Sequence, residues 1–351
     1  VDDVDIKIVS HQDAHKADYP IIEVDDKKNI TDMDWPSKVL EVAKKEDPDV
    51  FHIQHEYGLY RTKESEENKR VVELIKKLRA EGIPVIMTYH SVYGKIEGYQ
   101  KEFVSESLKE LSAGIVHEKY QKEALPDNLG WEPENVWVLP HGSDENVDVD
   151  REMAREWFGY NDDLVVGAAG LADERKGFIT LIEQWPKVVE EHPNALLVLE
   201  LKPLFAQHTR EYIDKVLEKV MESEVSEKIE FTVKNYTNKE FYRKLASFDV
   251  LVLPYKSESQ SGVLAHSFAA GTPAVVTDIE GMGEEIRNSE AGIAVEDRNE
   301  YYKAINKLLS NKKLREKYRK NAKKYVQNVN GWSIIAKKTL QIYDRFLNRK
   351  E

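Results

Sequence analysis

The chain has 351 residues, of which 41% are hydrophobic and 33% charged, a balance that predicts about two globular domains and excludes disorder. Its formal net charge of −13 makes it a poor general binder of nucleic acid, and the absence of cysteine excludes disulfides, thiolate nucleophiles and cysteine-ligated metals. No apolar run approaches the roughly 20 residues of a membrane-spanning helix.

The first 140 residues alternate short β-branched runs with longer amphipathic ones. The runs that we predict as strands are 4–10, 50–56, 85–91, 114–118 and 136–140. The runs between them with a helical period are 35–46, 69–82 and 100–112. Alternation at this length is typical of βαβ units and therefore predicts a parallel sheet.

The same alternation begins again after a polar, turn-rich stretch at 141–150. Strands are predicted at 164–170, 195–201, 229–233, 250–255 and 273–279. Helices are predicted at 178–192, 209–223, 238–248 and 262–271, and Pro186 is expected to end or kink the first of these. Beyond residue 298 the pattern is helical. We interpret its basic run at 312–325 as a solvated helix face, with a patch for an anionic lipid or an acceptor as the alternative.

These elements predict an α/β protein with two Rossmann-like, doubly wound domains that face each other across a cleft. The N-terminal domain is predicted to cover residues 1–147 and to be completed by a C-terminal helix at 334–351. The second domain is predicted to cover residues 148–333. Because ligands of open α/β sheets bind beyond the carboxyl ends of the strands, the functional side chains are expected at the strand ends.

The segment LPYKSESQSGVLAHSFAAGTPAVVTD at 253–278 has the strongest pattern. Ser261 is predicted to cap a short helix that ends at Gly271. The unpaired amides of its first turn would bind a phosphate or diphosphate, and they belong to Gly262, Val263 and Leu264. Glu258 precedes this helix and could accept hydrogen bonds from sugar hydroxyls. The alternative is an ordinary capped helix beside an exposed glutamate.

A second segment, GAAGLADERKGF at 167–178, places two cations behind a strand that ends at Gly170. Arg175 and Lys176 there suit a bound phosphate, although a plain basic turn is the alternative. The segment has neither the Walker A pattern nor the dinucleotide-binding G-x-G-x-x-G.

Together the two segments resemble family 4 of the retaining, nucleotide-sugar-dependent glycosyltransferases of the GT-B fold, also called glycosyl transferases group 1. The resemblance covers about residue 50 to the C-terminus. Aligned on the tripeptide Gly271-Thr272-Pro273, Glu258 falls on a glutamate that holds hydroxyls of the transferred sugar. His266 falls on a second glutamate, which binds the nucleotide ribose.

The family's phosphate loop, G-R-x-x-x-x-K-G, is matched in part. Gly170 and Lys176 occupy their expected positions, and Leu171 replaces the arginine, whose charge Arg175 would supply. The resemblance further implies that Tyr236, near the end of the run IEFTVKNY, lies in the donor site.

The N-terminal half carries two further matches to the family. In PVIMTYHSVYG the pattern T-x-H implies that His90 faces the donor sugar or its diphosphate. In FHIQHEYGLY the pattern Q-H-E-x-G implies that the acceptor pocket contains His55, Glu56 and Tyr57.

The resemblance implies transfer of a sugar from a UDP- or GDP-sugar to a lipid-linked, polysaccharide or small-metabolite acceptor, with retention of configuration. The implied catalytic residues are Lys176, Glu258 and His90. Because cations and amides would stabilise the leaving diphosphate, we expect neither a metal nor another cofactor. The D-x-D at 148–150 lies in the polar linker and is interpreted as linker. No nucleic-acid partner is expected, the expected location is cytoplasmic, and peripheral contact with the inner membrane face is left open.

Two alternatives stay open at this point. One is an epimerase or a phosphorylase on the same fold. The other is a non-catalytic subunit that binds a nucleotide sugar. It is motivated by His266, by Leu171 and by the lack, before Asp5, of the family's opening strand with its glycine-rich loop.

Overall fold

A computed structural model describes residues 4–10, 21–23, 34–57, 66–160, 162–203, 207–257 and 260–347. The chain divides into two compact units. The first comprises residues 1–140 and 335–351, and the second comprises residues 141–334. This division falls directly after Pro140, whereas the sequence prediction placed the domain boundary after residue 147.

The first unit contains a four-stranded parallel sheet in the order β3-β4-β5-β6 and a separate parallel pair, β1-β2. Its strands are β1 (Ile8–Ser10), β2 (Ile21–Glu23), β3 (Phe51–His55), β4 (Val85–Tyr89), β5 (Ala113–Val116) and β6 (Val136–Val138). Its helices before the boundary are α1 (Trp35–Glu46), α2 (Glu66–Ala80), α3 (Gly98–Glu110) and α4 (Lys119–Leu129). Apolar side chains of α1 to α3 pack against the sheet and form the core of this unit.

The second unit contains a six-stranded parallel sheet in the order β12-β11-β10-β7-β8-β9. Its strands are β7 (Leu164–Leu171), β8 (Ala195–Lys202), β9 (Ile229–Val233), β10 (Val250–Leu253), β11 (Ala274–Thr277) and β12 (Gly292–Val295). Its helices are α5 (Arg151–Phe158), α6 (Phe178–Glu191), α7 (Gln207–Glu222), α8 (Asn238–Ser247), α9 (Gly262–Ala270), α10 (Glu280–Ser289), α11 (Tyr301–Leu309) and α12 (Lys312–Tyr325).

The strands of the second unit are apolar on both faces because helices cover both faces of the sheet. Along β7, Val166 belongs to one apolar cluster and its neighbour Val165 to the other. The same alternation separates Val252 from Leu251 on β10. The predicted parallel α/β architecture with two domains is therefore confirmed.

The strand order reverses at β7. Strands β8 and β9 lie on one side of it, and β10, β11 and β12 lie on the other. In such sheets the crevice at the carboxyl ends of the two strands beside the reversal is where ligands bind. The loops that follow β7 and β10 are the two segments that the sequence analysis selected.

Pro186 does not end the helix that contains it, because α6 runs from Phe178 to Glu191 with Pro186 inside it. Proline removes one backbone hydrogen bond, but Ile182 and Trp185 before it and Val188 after it are almost fully buried and hold the helix in the core. Helices α4, α5 and α10 and strands β2 and β12 were not predicted from the sequence.

The basic run of α12 has two kinds of side chain. Its lysines, such as Lys313, Lys317 and Lys320, are exposed, as the solvated-face interpretation predicts. Arg315 and Arg319 are instead buried and donate to backbone carbonyls at the C-terminal ends of α8, α9 and α11.

A π-helical turn (Val326–Asn330) leads to the last helix, α13 (Trp332–Leu347). From Ile335 onward this helix belongs to the first unit, where Ile342 packs with Ile86, Ile115 and Leu139. Among the described residues, no helix is both long and apolar enough to cross a membrane.

Candidate donor site at the ends of two neighbouring strands

The loops after β7 and β10 contact each other directly. The Lys256 amide donates to the Arg175 carbonyl oxygen at 2.7 Å. Gly177 has a φ of 70°, and a Cβ there would lie only 1.9 Å from the carbonyl oxygen of Pro254. Glycine is therefore required at this position both by conformation and by space. The close approach brings the two predicted segments together in the second unit.

Lys176 ends a 3₁₀ turn (Glu174–Lys176) in the first of these loops. Its side chain is buried, and its Nζ lies 3.8 Å from the centroid of the Tyr255 ring, a cation–π distance. A Cβ on Gly170 would lie 3.4 Å from the Tyr255 hydroxyl, so the end of β7 contacts the same ring. The contact holds the ammonium group at the carboxyl edge of the sheet.

Arg175 differs from its neighbour because its guanidinium group is half-exposed and pairs with Asp173, Nε to Oδ1 at 3.0 Å and Nη2 to Oδ2 at 3.2 Å. Burial raises the pKa of Asp173, but the hydrogen bonds from Arg175 outweigh it and hold that pKa below its ordinary value. Much of the Arg175 charge is thus balanced locally.

Helix α9 begins and ends as predicted. The Ser261 hydroxyl accepts from the Leu264 amide at 3.3 Å, and Gly271 ends the helix in the left-handed conformation. The Leu264 amide was predicted to be unpaired but is used by this cap. Gly262 and Val263 are half-buried, and their amides belong to the first turn, where no intrahelical acceptor exists. That turn holds no acidic side chain, so its partial positive charge is not offset within the helix. Glu258 lies outside the described residues.

His266 follows Gly262 by four residues and therefore lies on the same face of α9. Its Nδ1 is 2.7 Å from the Tyr242 hydroxyl, which donates to Asp144 Oδ2 at 2.5 Å. The ring of Phe241 packs edge-on against His266. Burial, and then the neighbouring His141, lower the pKa of His266 below its ordinary value, against the opposing effect of Asp144.

Tyr236 is hydrogen-bonded to a buried ion pair between β8 and α8. Its hydroxyl donates to Glu200 Oε2 at 2.5 Å, and Glu200 Oε1 pairs with Lys244 Nζ at 2.9 Å. Burial raises the pKa of Glu200, against the effect of Lys244. These contacts fix the Tyr236 ring where the loop after β9 begins.

In the first unit, histidines follow the carboxyl ends of two neighbouring strands, and one of them, His90, was predicted for the site. His90 follows β4, and its Nδ1 is 3.3 Å from Nε2 of His117, which follows β5. The Nδ1 of His117 donates to the Leu139 carbonyl oxygen at 3.0 Å. The Nε2 of His90 donates to Gln54 Oε1 at 2.8 Å, which links the ends of β3 and β4.

The three residues predicted for the acceptor pocket have different surroundings. His55 is 1% exposed and stacks on Phe103 with a centroid distance of 4.4 Å. Tyr57 packs edge-on against His55, and burial raises its pKa. Glu56 accepts from the Ser91 hydroxyl at 2.5 Å. Their role with an acceptor stays a prediction.

One of the two aspartates in the D-x-D at 148–150 has a structural role. Asp150 caps α5 by accepting from the Met153 amide at 2.8 Å, and Asp148 is exposed. Within the ranges that the structure covers, no cluster of three or more acidic or histidine side chains could hold a metal ion.

Several residues at this site were not selected from the sequence. Tyr255 lay inside a predicted strand, and Asp144 and Tyr242 are 98 residues apart in the chain. His141 lies beside the first turn of α9, since a Cβ on Gly262 would be 3.8 Å from its imidazole. In the sequence, these residues were marked only by their position next to predicted strand or helix ends, and many other residues share that position.

Comparison with known proteins agrees with this architecture. Residues 150–325 match the model of the family described as Glycosyl transferases group 1, and residues 3–147 match Glycosyltransferase Family 4. The structure is similar to that of sucrose-phosphate synthase from Thermosynechococcus elongatus, with a TM-score of 0.77 and 18% identity over 98% of this chain and 89% of that one. It is also similar to Anabaena HepE in complex with UDP, with a TM-score of 0.74 and 14% identity over 93% and 86% of the two chains.

Among curated relatives, an uncharacterized glycosyltransferase of Methanocaldococcus jannaschii is 31% identical over 73% of this chain. A capsular polysaccharide biosynthesis glycosyltransferase of Staphylococcus aureus is 25% identical over 67% of it. The match spans 62% of the length of each relative. The chain belongs to the family 4, group 1 glycosyltransferases and has their GT-B fold.

Proposed function

We propose that this glycosyltransferase takes a hexosyl group from a UDP- or GDP-sugar and transfers it with retention of configuration, without a metal ion. The observation that carries the proposal is the direct contact between the loops after β7 and β10, with Lys176 buried over the Tyr255 ring. The contact lies where the strand order reverses, the usual ligand site of such sheets. The structural neighbour HepE, which is complexed with UDP and with UDP-glucose, supports this ligand class.

The chemistry follows from where charge develops. When the bond between the anomeric carbon and the phosphate oxygen breaks, negative charge grows on the departing diphosphate. The Lys176 ammonium group and the first-turn amides of α9 are hydrogen-bond donors suited to that charge. Groups aimed at charge that appears in the transition state lower the barrier more than they tighten substrate binding.

For the other side of the reaction, we propose a glycan, lipid-linked or small-molecule acceptor near the residues at the ends of β3 and β4. The exposed lysines of α12 suit peripheral contact with an anionic membrane if the acceptor is lipid-linked. Vesicle sedimentation with and without an acidic phospholipid tests this contact.

A donor screen tests the proposal. UDP- and GDP-sugars are incubated with acceptor pools, with and without EDTA, and the released nucleotide is measured. We expect turnover that EDTA does not reduce, and early NMR spectra of the product that show the donor's anomeric configuration. An inverted product or complete loss with EDTA contradicts the corresponding part of the proposal.

Lys176→Met tests the role of the ammonium group. Loss of one preorganised donor to a developing anion costs about 10²–10³ in kcat, and we expect a loss of this size. Lys187→Met is the matched control, because Lys187 also lies over a tyrosine ring, that of Tyr302 at 4.6 Å, but outside these loops. Equal rates in the two variants contradict the assignment.

Three outcomes favour the other candidate functions. Nucleotide-sugar binding by calorimetry without turnover on any acceptor favours a non-catalytic binding subunit. A changed sugar configuration with the nucleotide still attached indicates an epimerase, and phosphate-dependent turnover indicates a phosphorylase.

A further inference from the structure

Asp144, Tyr242 and His266 form one hydrogen-bonded series in the second unit. Asp144 lies in the irregular segment before α5, Tyr242 lies on α8 and His266 lies on α9. The Tyr242 hydroxyl is 2.5 Å from Asp144 Oδ2 and 2.7 Å from His266 Nδ1. Three separate segments therefore meet at one phenol oxygen.

The number of protons in the series fixes the direction of each hydrogen bond. A phenol has a single proton, and Tyr242 donates it to the Asp144 carboxylate, which can only accept. Burial, together with this hydrogen bond, raises the pKa of Tyr242, so it stays a phenol. The second contact of its oxygen must therefore be an acceptance, and His266 Nδ1 must carry a proton.

The other ring nitrogen is then an acceptor. Because burial lowers the pKa of His266, the ring holds one proton at neutral pH, and that proton is on Nδ1. The Nε2 keeps its lone pair, because within the described part of the chain the ring is hydrogen-bonded through Nδ1. His266 is half-buried, so a ligand on this face of α9 can reach the nitrogen.

We propose that Asp144 and Tyr242 are positioning residues that hold His266 in the Nδ1–H tautomer, so that Nε2 accepts a hydrogen bond from a hydroxyl of the bound nucleotide. The identity of the ligand rests on the proposed function, whereas the tautomer does not. Gly262 and His266 are one helical turn apart, roughly 6 Å on a helix surface. One face of α9 thus offers amide donors for a phosphate and, one turn later, an acceptor for a hydroxyl.

The series explains how His266 can accept a hydrogen bond from a ligand hydroxyl as reliably as a carboxylate does. A free imidazole exchanges its proton between two nitrogens and would donate for part of the time. The phenol of Tyr242, held by Asp144, removes that ambiguity. Neither residue touches the ligand in this account, and both act through His266.

NMR on ¹⁵N-histidine-labelled protein at pH 7.5 tests the tautomer without any ligand, with His266→Gln to assign the signals. We expect a protonated Nδ1 and an unprotonated Nε2 for His266, and a mixture of tautomers in Tyr242→Phe. Tyr302→Phe is the matched control and should leave the His266 signals unchanged. An Nε2–H tautomer in the unaltered protein, or an unchanged spectrum in Tyr242→Phe, overturns the proposal.

Calorimetry with UDP and GDP tests whether His266 Nε2 accepts a hydrogen bond from the bound nucleotide. Loss of one well-placed hydrogen bond weakens binding about tenfold, and we expect this for Tyr242→Phe. In a His266→Gln background the amide oxygen accepts without tautomeric control, so adding Tyr242→Phe should weaken binding less than about twofold. A full tenfold effect in both backgrounds indicates a merely structural role for Tyr242 and overturns the inference. If neither nucleotide binds the unaltered protein, the proposed function and the ligand role of Nε2 both fail, while the NMR result still decides the tautomer.

Discussion

Gly177→Ala is the substitution that most directly disturbs the contact between the two loops. The φ of Gly177 is 70°, and a side chain in the left-handed region costs about 1–2 kcal/mol. The added Cβ would also lie 1.9 Å from the Pro254 carbonyl oxygen, which belongs to backbone and cannot turn aside. Forcing the loops apart adds about 1–3 kcal/mol, as overpacking does elsewhere.

Gly159→Ala separates these two effects. Gly159 has a φ of 76°, but a Cβ there would meet no atom within 4 Å, so only the conformational cost applies. For a unit of this size each kcal/mol lowers the melting temperature by about 2–4 °C. We therefore expect a fall of about 2–8 °C for Gly159→Ala and of about 4–20 °C for Gly177→Ala.

Thermal unfolding by circular dichroism and binding of UDP or GDP by calorimetry measure both consequences. Gly177→Ala should weaken nucleotide binding at a temperature where it is still folded, and Gly159→Ala should not. The reasoning is refuted if the two variants lose the same stability, or if Gly177→Ala binds the nucleotide as tightly as the unaltered protein.

Two further predictions concern buried charge in the second unit. Asp249 accepts from Arg151 at 2.8 Å, from Arg155 at 3.1 Å and from the Val165 amide at 3.0 Å, so Asp249→Asn should lower the free energy of unfolding by about 3–5 kcal/mol. Chemical denaturation measures both losses. The control Asp278→Asn breaks a pair with the exposed Arg287 and should lower the free energy of unfolding by no more than about 1 kcal/mol. Equal losses in the two variants contradict the argument. Burial raises the pKa of Glu285 from 4.5 to about 8, so the folded chain keeps a proton that the unfolded chain loses, and stability falls as pH rises from 4.5 to 8. The fall in the free energy of unfolding is at most about 1.4 kcal/mol per pH unit. Glu285→Gln should remove it, whereas the control Glu284→Gln should retain it. Identical pH profiles of stability for the unaltered protein and both variants would refute the prediction.

Elements with a clear period were predictable from the sequence. The run at 35–46 has the bounds of α1, and the run at 229–233 has those of β9. Helix α10 was not named because Gly281 and Gly283 interrupt its apolar pattern. A Cβ at Gly283 would lie 1.7 Å from Asp278 Oδ1, so a larger residue there would displace that carboxylate. Tertiary packing at that point overrides the local preference that sequence analysis depends on.

The candidate site was predictable where a single segment supplies it. Ser261 and Gly271 delimit α9 because capping is a local property. The partners of its side chains were not predictable, because Tyr242 reaches His266 and Asp144 only after α8 and α9 have packed on the sheet. The same holds for the ring of Tyr255 beneath Lys176, which depends on the neighbouring positions of β7 and β10.

A crystal structure of the protein with UDP or GDP, whichever binds more tightly by calorimetry, tests the central claim most directly. The account predicts the diphosphate within hydrogen-bond distance of the Lys176 ammonium group and of the Gly262 and Val263 amides, beside the contact of the two loops. A nucleotide bound with its diphosphate away from both loops would contradict it.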